Sequence, residues 1–313
     1  MTGLSEFELI ATLFAPLATS PGAFGLKDDV AIIAPRVGHD LVTTTDTIIE
    51  GVDFFGDDPP DTVARKALRA NLSDLAAKGA EPAAYLLTLM LPEKIDRTFL
   101  ESFVHGLASD QEKFGIVLLG GDMSATPGPL AISITAFGHV PAGRLVRRNG
   151  ARPGDLVFVT GTIGDSGAGL SLLKDGRSEP SRLIERYRVP ESRVAFASAV
   201  RAASASIDIS DGLLADLGHI AEVSGVRIVV EADKVPLSSE LIALWGKETA
   251  AIIRAATAGD DYEIAFTAPA AICGSETSVT AVGRVAQGSG VVLIGADGKE
   301  MEVPRAGYRH FQR

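Results

Sequence analysis

Aspartates recur in this chain beside apolar runs. Asp28 and Asp29 precede VAIIA, Asp46 follows Thr43, Thr44 and Thr45, and Asp74 lies in an amphipathic stretch. Asp122 follows IVLLGG, and Asp208 and Asp211 bracket the turn in IDISDGLLADLGHI. An unpaired carboxylate beside a core is costly. Hard oxygen ligands at element ends are what Mg²⁺ uses, since it takes a few carboxylates and hydroxyls and keeps waters and substrate phosphates. Thr44 and Thr45 fit beside Asp46 as hydroxyl or carbonyl ligands. Each residue also has an ordinary reading: Asp211 as a helix charge or cap, Asp74 as a helix-surface residue, Asp122 as a turn former. Asp28 and Asp29 read as a solvated turn pair, and Asp46 as a carboxylate held by threonine hydroxyls. The set, more than any member, points to an acidic metal platform.

Other chemistry is less marked. Arg147 and Arg148 form a basic doublet, either exposed linker charge or a phosphate-oxygen clamp. AGDDYEIAFT places Asp260 and Asp261 in a turn before a strand, as a hairpin or a ligand-contacting loop. GTIGDSGAG, residues 161–169, reads equally as a phosphate-contacting turn and as a plain strand-to-helix turn. No G-x-x-x-x-G-K-[ST] is present. Cys273 has no neighbouring base, and His39, His105, His139, His219 and His310 are scattered. Metal and positioning are therefore favoured over covalent catalysis.

The elements that must hold these residues alternate between strand and helix. DVAIIAP and HDLVTTTDTII read as strands, and DTVARKALRANLSDLAAKGAEP as a helix ended by Gly79. AAYLLTLMLP, IVLLGGD and PLAISITAFGHV read as strands around a helix in IDRTFLESFVHGLASDQEKFG. PAGRLVRRNGARPGD, residues 141–155, is the expected boundary between domains at 1–140 and 150–313. Beyond it come the strand DLVFVTG, helices from about Gly164 and about Glu191, the strand end SIDIS, a helix from near Asp211, the strands VRIVVEA and YEIAFTA, and hairpin-like runs around QGSG and ADGK. The fold class is α/β (α+β) with two domains.

The chain has 313 residues, 46% hydrophobic and 22% charged, with a formal net charge of -11. That balance argues against an electrostatic nucleic-acid binder, and it admits acidic small molecules only where metal or arginine reverses the local sign. A lone cysteine allows neither an intrachain disulfide nor a cysteine-rich zinc site. With no apolar run of about 18 residues and no secretory pattern at the N-terminus, a cytoplasmic protein without membrane contact is expected.

In order along nearly the whole chain, KDDVAII, TTTDTIIEGVDF, KALRANLSDLAAKGAEP, LLGGDMS, GHVPAGRLVRRNGARPGD, VTGTIGDSGAGL, IDISDGLLADLGHIAEVSG, GDDYEIAF and GYRHF resemble the thiamine-monophosphate kinase family. That family lies in the superfamily of aminoimidazole-ribonucleotide synthetase, selenophosphate synthetase and a hydrogenase maturation protein. The resemblance implies that Asp29, Thr44, Thr45, Asp46, Asp74, Asp122, Asp208 and Asp211 bind several Mg²⁺ ions. It implies ATP contacts at Gly121, Asp122, Arg148 and Ser210, thiamine-phosphate contacts at Asp53, Asp260 and Tyr308, and a catalytic set of Asp208, Asp211 and Arg148. Lys27, Asp53 and Asp260 stand where the family more often has Gly, His and Glu. The implied reaction is Mg²⁺-assisted in-line transfer from ATP to thiamine monophosphate. The implied fold has an N-terminal sheet forming a barrel across a homodimer and a C-terminal α/β domain, with ATP between sheet and domain. Alternatives are a cyclo-ligase of the superfamily, against which GDDYEIAF and GYRHF stand, and a non-catalytic nucleotide-binding protein of the same fold.

Overall fold

The computed structural model describes residues 6–270 and 279–308, so Cys273 and His310 lie outside the described residues. Two compact units form, Met1–Leu75 with Ala80–Arg144 and Ala76–Gly79 with Leu145–Arg313.

In the first unit, α1 (Glu6–Leu9) runs on through a wider turn, Ile10–Phe14, and a 3₁₀ turn, Ala15–Leu17. Four strands, β1 (His39–Ile49), β2 (Glu81–Leu91), β3 (Val117–Ala125) and β4 (Ala131–Pro141), make one sheet in the order β1-β4-β2-β3. Only β2 and β3 are parallel. DVAIIAP, expected as a strand, joins no sheet. The Ile32 N–H donates to Gly22 O at 2.9 Å, so a contact with a segment ten residues earlier takes up backbone that a ladder would need, and Val30 and Ile32 remain exposed.

Helix α2 (Pro60–Ala77) begins on a proline, whose fixed φ suits a first turn, and Gly79 follows it at φ +72°. Its apolar period buries Val63, Ala67, Leu68, Leu72 and Leu75. A Cβ on Gly138 of β4 would come within 3.2 Å of the Leu75 side chain, so α2 lies against that face of the sheet. Helix α3 (Arg97–Phe114) is capped by the Asp96 carboxylate, which accepts from Phe99 N, and ends on left-handed Gly115. A buried, bidentate Arg69–Asp110 pair (2.7 and 2.8 Å) joins α2 to α3.

In the second unit, β5 (Leu156–Thr160), β6 (Ala205–Asp208), β7 (Arg227–Glu231), β8 (Ile264–Ala268), β9 (Val279–Ala286) and β10 (Gly290–Ile294) form a sheet in the order β10-β7-β9-β5-β8-β6. Strands β5 and β8 are buried on both faces: Val157, Val159 and Ala265 enter one core, and Phe158, Ile264 and Phe266 another. The QGSG turn therefore closes no hairpin, because β9 and β10 each pair with β7, antiparallel and parallel respectively. ADGK does turn tightly, with Gly295 N donating to Lys299 O at 2.9 Å.

Helices α4 (Asp165–Lys174) and α7 (Leu213–Ser224) follow β5 and β6. The helix expected from about Glu191 is reduced to a 3₁₀ turn and the short α6 (Ala197–Val200), since Arg193 is drawn into an ion pair with buried Glu263 at 2.6 Å. The amphipathic turns lie earlier, in α5 (Ser181–Arg188), which buries Leu183, Ile184 and Tyr187. Helices α8 (Ser239–Trp245) and α9 (Thr249–Ala256) were not expected. Among the described residues no helix is long and apolar enough to cross a membrane.

Candidate functional site

The first unit brings Thr44, Asp46 and Asp74 together. Residues 44 and 46 share one face of β1 by strand alternation, and Thr44 Oγ1 donates to Asp74 Oδ2 across to α2. Burial, then the charges of Asp74 and Asp53, push the Asp46 carboxyl up to about 6. No Lys or Arg ion pair reaches Asp46 or Asp74 among the described residues. A divalent cation would relieve that repulsion, and the hydroxyl and carboxylate oxygens are the hard donors Mg²⁺ takes.

Thr45 is not brought into that group. Its side chain is on the other face of β1, donating to Ile134 O at 3.1 Å and accepting from Thr135 Oγ1 at 3.1 Å. Asp53 closes the turn after β1, its Oδ2 accepting from Ile49 N at 2.7 Å, while buried Lys66 donates to Asp53 O at 2.7 Å.

Asp28, Asp29, Gly121 and Asp122 line a cavity of about 820 Å³ whose apolar wall includes Phe14 and Met123. β1 and β3 are opposite edges of the sheet, so Asp122 belongs to a different part of the unit from Asp46. Gly121 is dictated by packing: at φ +155° a Cβ would lie 1.7 Å from Leu87 O.

The second unit brings together Asp208, Ser210, Asp211, Asp260 and Tyr308. The β6–β8 ladder continues beyond Asp208 through Ile209 N to Glu263 O, Tyr262 N to Ile209 O and Asp260 N to Ser210 O, each 2.8 Å. Asp260 and Tyr262 have left-handed φ values of +65° and +52°, a conformation rare outside glycine. Tyr308 N donates to Asp211 O at 2.9 Å. A Cβ on Gly307 would lie 2.5 Å from the same oxygen, so this approach is open only to glycine.

The Asp211 side chain is not the cap of α7. The helix starts at Leu213 after Gly212, and the N–H groups of Ser210, Asp211 and Gly212 are taken by Asp216 Oδ2. Burial, then the Asp211 charge, push the Asp216 carboxyl up to about 7 against those backbone bonds. Ligand atoms of Asp211, Asp216 and exposed His219 lie within 4.8 Å of one another. Asp216 was missed in the sequence, although an acid among Leu213, Leu214 and Leu217 on a core-facing turn is a signal.

Arg147 and Arg148 are exposed, but their backbone is pinned: Ser206 N donates to Arg147 O at 3.1 Å and Ser224 Oγ to Arg148 O at 3.3 Å. The GTIGDSGAG turn is already occupied by an internal acid, because the buried Asp261 carboxyl group accepts from Gly164 N and Ser166 N. That position favours the plain strand-to-helix reading.

Residues 27–140 match the family model described as AIR synthase related protein, N-terminal domain, and residues 152–296 match the corresponding C-terminal domain. The thiamine-monophosphate kinase of Caulobacter vibrioides is 42% identical over 98% of this chain and 91% of its own. The crystal structure of thiamine-monophosphate kinase from Stenotrophomonas maltophilia K279a is similar at a TM-score of 0.84 and 38% identity, covering 95% of this chain and 98% of that one. A solved structure of AaThiL complexed with AMPPCP and TMP is similar at 0.81 and 38% identity, covering 89% of each chain. Both domains and nearly the full length being matched, the chain belongs to the thiamine-monophosphate kinase family of AIR synthase related proteins.

Proposed function

We propose that this chain transfers the γ-phosphoryl group of ATP to the phosphate of thiamine monophosphate, giving thiamine diphosphate and ADP. The observation that carries the reading is its similarity, over 89% of both chains, to a kinase-family structure complexed with AMPPCP and TMP. Mg²⁺, when bound, neutralises phosphate oxygens and favours an in-line displacement.

The chain's own residues then have definable tasks. Thr44 fixes the orientation of the Asp74 carboxylate, and Asp46 and Asp74 offer oxygens that no lysine or arginine competes for. Asp29 and Asp122 offer two more at the cavity of the first unit, where Gly121 lets the β3 backbone approach β2. In the second unit Asp208 and Asp211 are set by backbone bonds, Ser210 lies between them, and Asp260 and Tyr308 are tied to the same turn for contact with the acceptor. Arg148 supplies an exposed guanidinium suited to phosphate oxygens. The acceptor oxygen of a phosphate is already an anion, so the main obstacle is like charge and little general base is needed.

The chain is further proposed to act as a homodimer. β1 is an eleven-residue edge strand whose outward row keeps Leu41, Thr43, Thr45 and Thr47 exposed, and such an edge is a template for a second copy. A coupled ADP-release assay with thiamine monophosphate, ATP and Mg²⁺ tests the activity. Turnover dependent on all three is expected, and none above background at saturating substrates would sink the reading.

A further inference from the structure

One oxygen, Oδ2 of Asp216, accepts three successive backbone N–H groups: Ser210 at 3.1 Å, Asp211 at 3.0 Å and Gly212 at 3.1 Å. Asp216 is 2% exposed and lies in the first turn of α7, whose N-terminal flanking residue, Gly212, has no side chain to cap with. Consecutive N–H groups converging on one point form an anion nest, and here the anion comes from within the helix that the turn introduces.

The carbonyl side of the same turn is held by different groups. Ser210 O accepts from Asp260 N, and Asp211 O from Tyr308 N. The donors of the 210–212 turn therefore depend on the Asp216 carboxyl group, while two of its acceptors, Ser210 O and Asp211 O, depend on two other segments and Gly212 O accepts from Asp216 N at 3.0 Å. Loss of the carboxylate would leave the turn attached but free to rotate its peptide planes. Asp211, whose side chain leaves from the middle of that turn, would then lose its fixed direction.

We propose that Asp216 is a positioning residue for the phosphoryl-transfer site: it holds the 210–212 turn in the one shape that presents Ser210 and Asp211 to a metal-bound nucleotide, and it is not itself a ligand. This rests on the kinase reading above. Partners that orient ligands from behind commonly govern metal affinity by 10- to 100-fold.

Two variants test it, Asp216→Ala, which removes the acceptor, and Asp216→Asn, whose amide oxygen can still accept. The readouts are the Mg²⁺ concentration giving half-maximal turnover, the KM for thiamine monophosphate, and the Mg²⁺ concentration giving half of the rise in melting temperature with AMPPCP. Asp216→Ala is expected to raise both Mg²⁺ midpoints about tenfold while leaving the KM for thiamine monophosphate within about twofold of wild type. Asp216→Asn is expected to recover most of the loss. Equal loss in both variants would make the carboxylate a ligand and overturn the proposal, as would an Asp216→Ala protein with wild-type midpoints. Should Asp216→Ala fail to fold, amide exchange in the metal-free wild type decides: slow exchange at residues 210–212 is expected, and fast exchange overturns it. The melting shift needs no turnover, so a wild type without kinase activity would sink the kinase reading and still leave the role of Asp216 measurable.

Discussion

The Asp261 carboxylate accepts hydrogen bonds from the backbone N–H groups of Gly164 (2.6 Å) and Ser166 (3.2 Å), closing the N-terminus of α4 from inside the second unit. A helix end that resembles a phosphate loop in sequence is thereby satisfied by the protein's own acid.

Asp261→Ala is expected to destabilise the fold by about 2 kcal/mol or more, since buried N–H groups lose their acceptor. The pH dependence follows from the same residue. Burial pushes its carboxyl from 3.8 up to about 8, against the pull of the Gly164 N–H and of Arg186. Between those values the folded chain holds a proton that the unfolded chain has lost, so this residue makes stability fall as pH rises. Melting temperature measured from pH 5 to 8 should decline less steeply in Asp261→Asn than in wild type, and identical slopes would count against it.

Asp74→Asn and Asp208→Asn are each expected to lower turnover at least about tenfold, roughly 1.4 kcal/mol in the barrier, with little change in melting temperature. Both are checked by the coupled ADP assay beside a thermal melt. Wild-type rates in both variants would refute the shared metal role.

The Arg69–Asp110 pair predicts an asymmetry. Asp110→Ala leaves a buried guanidinium without its bidentate partner and is expected to cost about 3–5 kcal/mol in urea unfolding. The double variant Arg69→Met/Asp110→Leu, which removes both charges, should recover much of that loss.

Sedimentation should give a mass twice that of one chain. Leu41→Lys, which puts a charge on the exposed row of β1, is expected to shift the protein toward the monomer. A wild-type monomer at micromolar concentration would rule out the proposed pairing.

Much of the first unit was legible because its signals are local. The period of α2, the alternation of TTTDTII and the Asp96–Gly115 punctuation of α3 each depend on neighbours within a few residues. The DISDG turn was legible for the same reason. The strand order β10-β7-β9 was not, because inserting β7 between two consecutive strands is a long-range choice that the QGSG turn does not encode. DVAIIAP has strand composition but finds its partner in Gly22, a tertiary contact that overrides propensity. The roles of Asp216 and Asp261 were hidden for a third reason: their partners are backbone N–H groups, which every residue but proline carries, so a buried acid can be noticed in the sequence while what it binds cannot.

Main-chain hydrogen bonds join the turn at Asp211 to residues 260 and 308. These two bonds use backbone atoms of residues 260 and 308, and the left-handed backbone at 260 is one that aspartate tolerates better than most residues. On the proposed kinase reading, reach and charge at positions 260 and 308 can therefore be exchanged one side chain at a time, while the backbone hydrogen bonds to the Asp211 turn are left as they were.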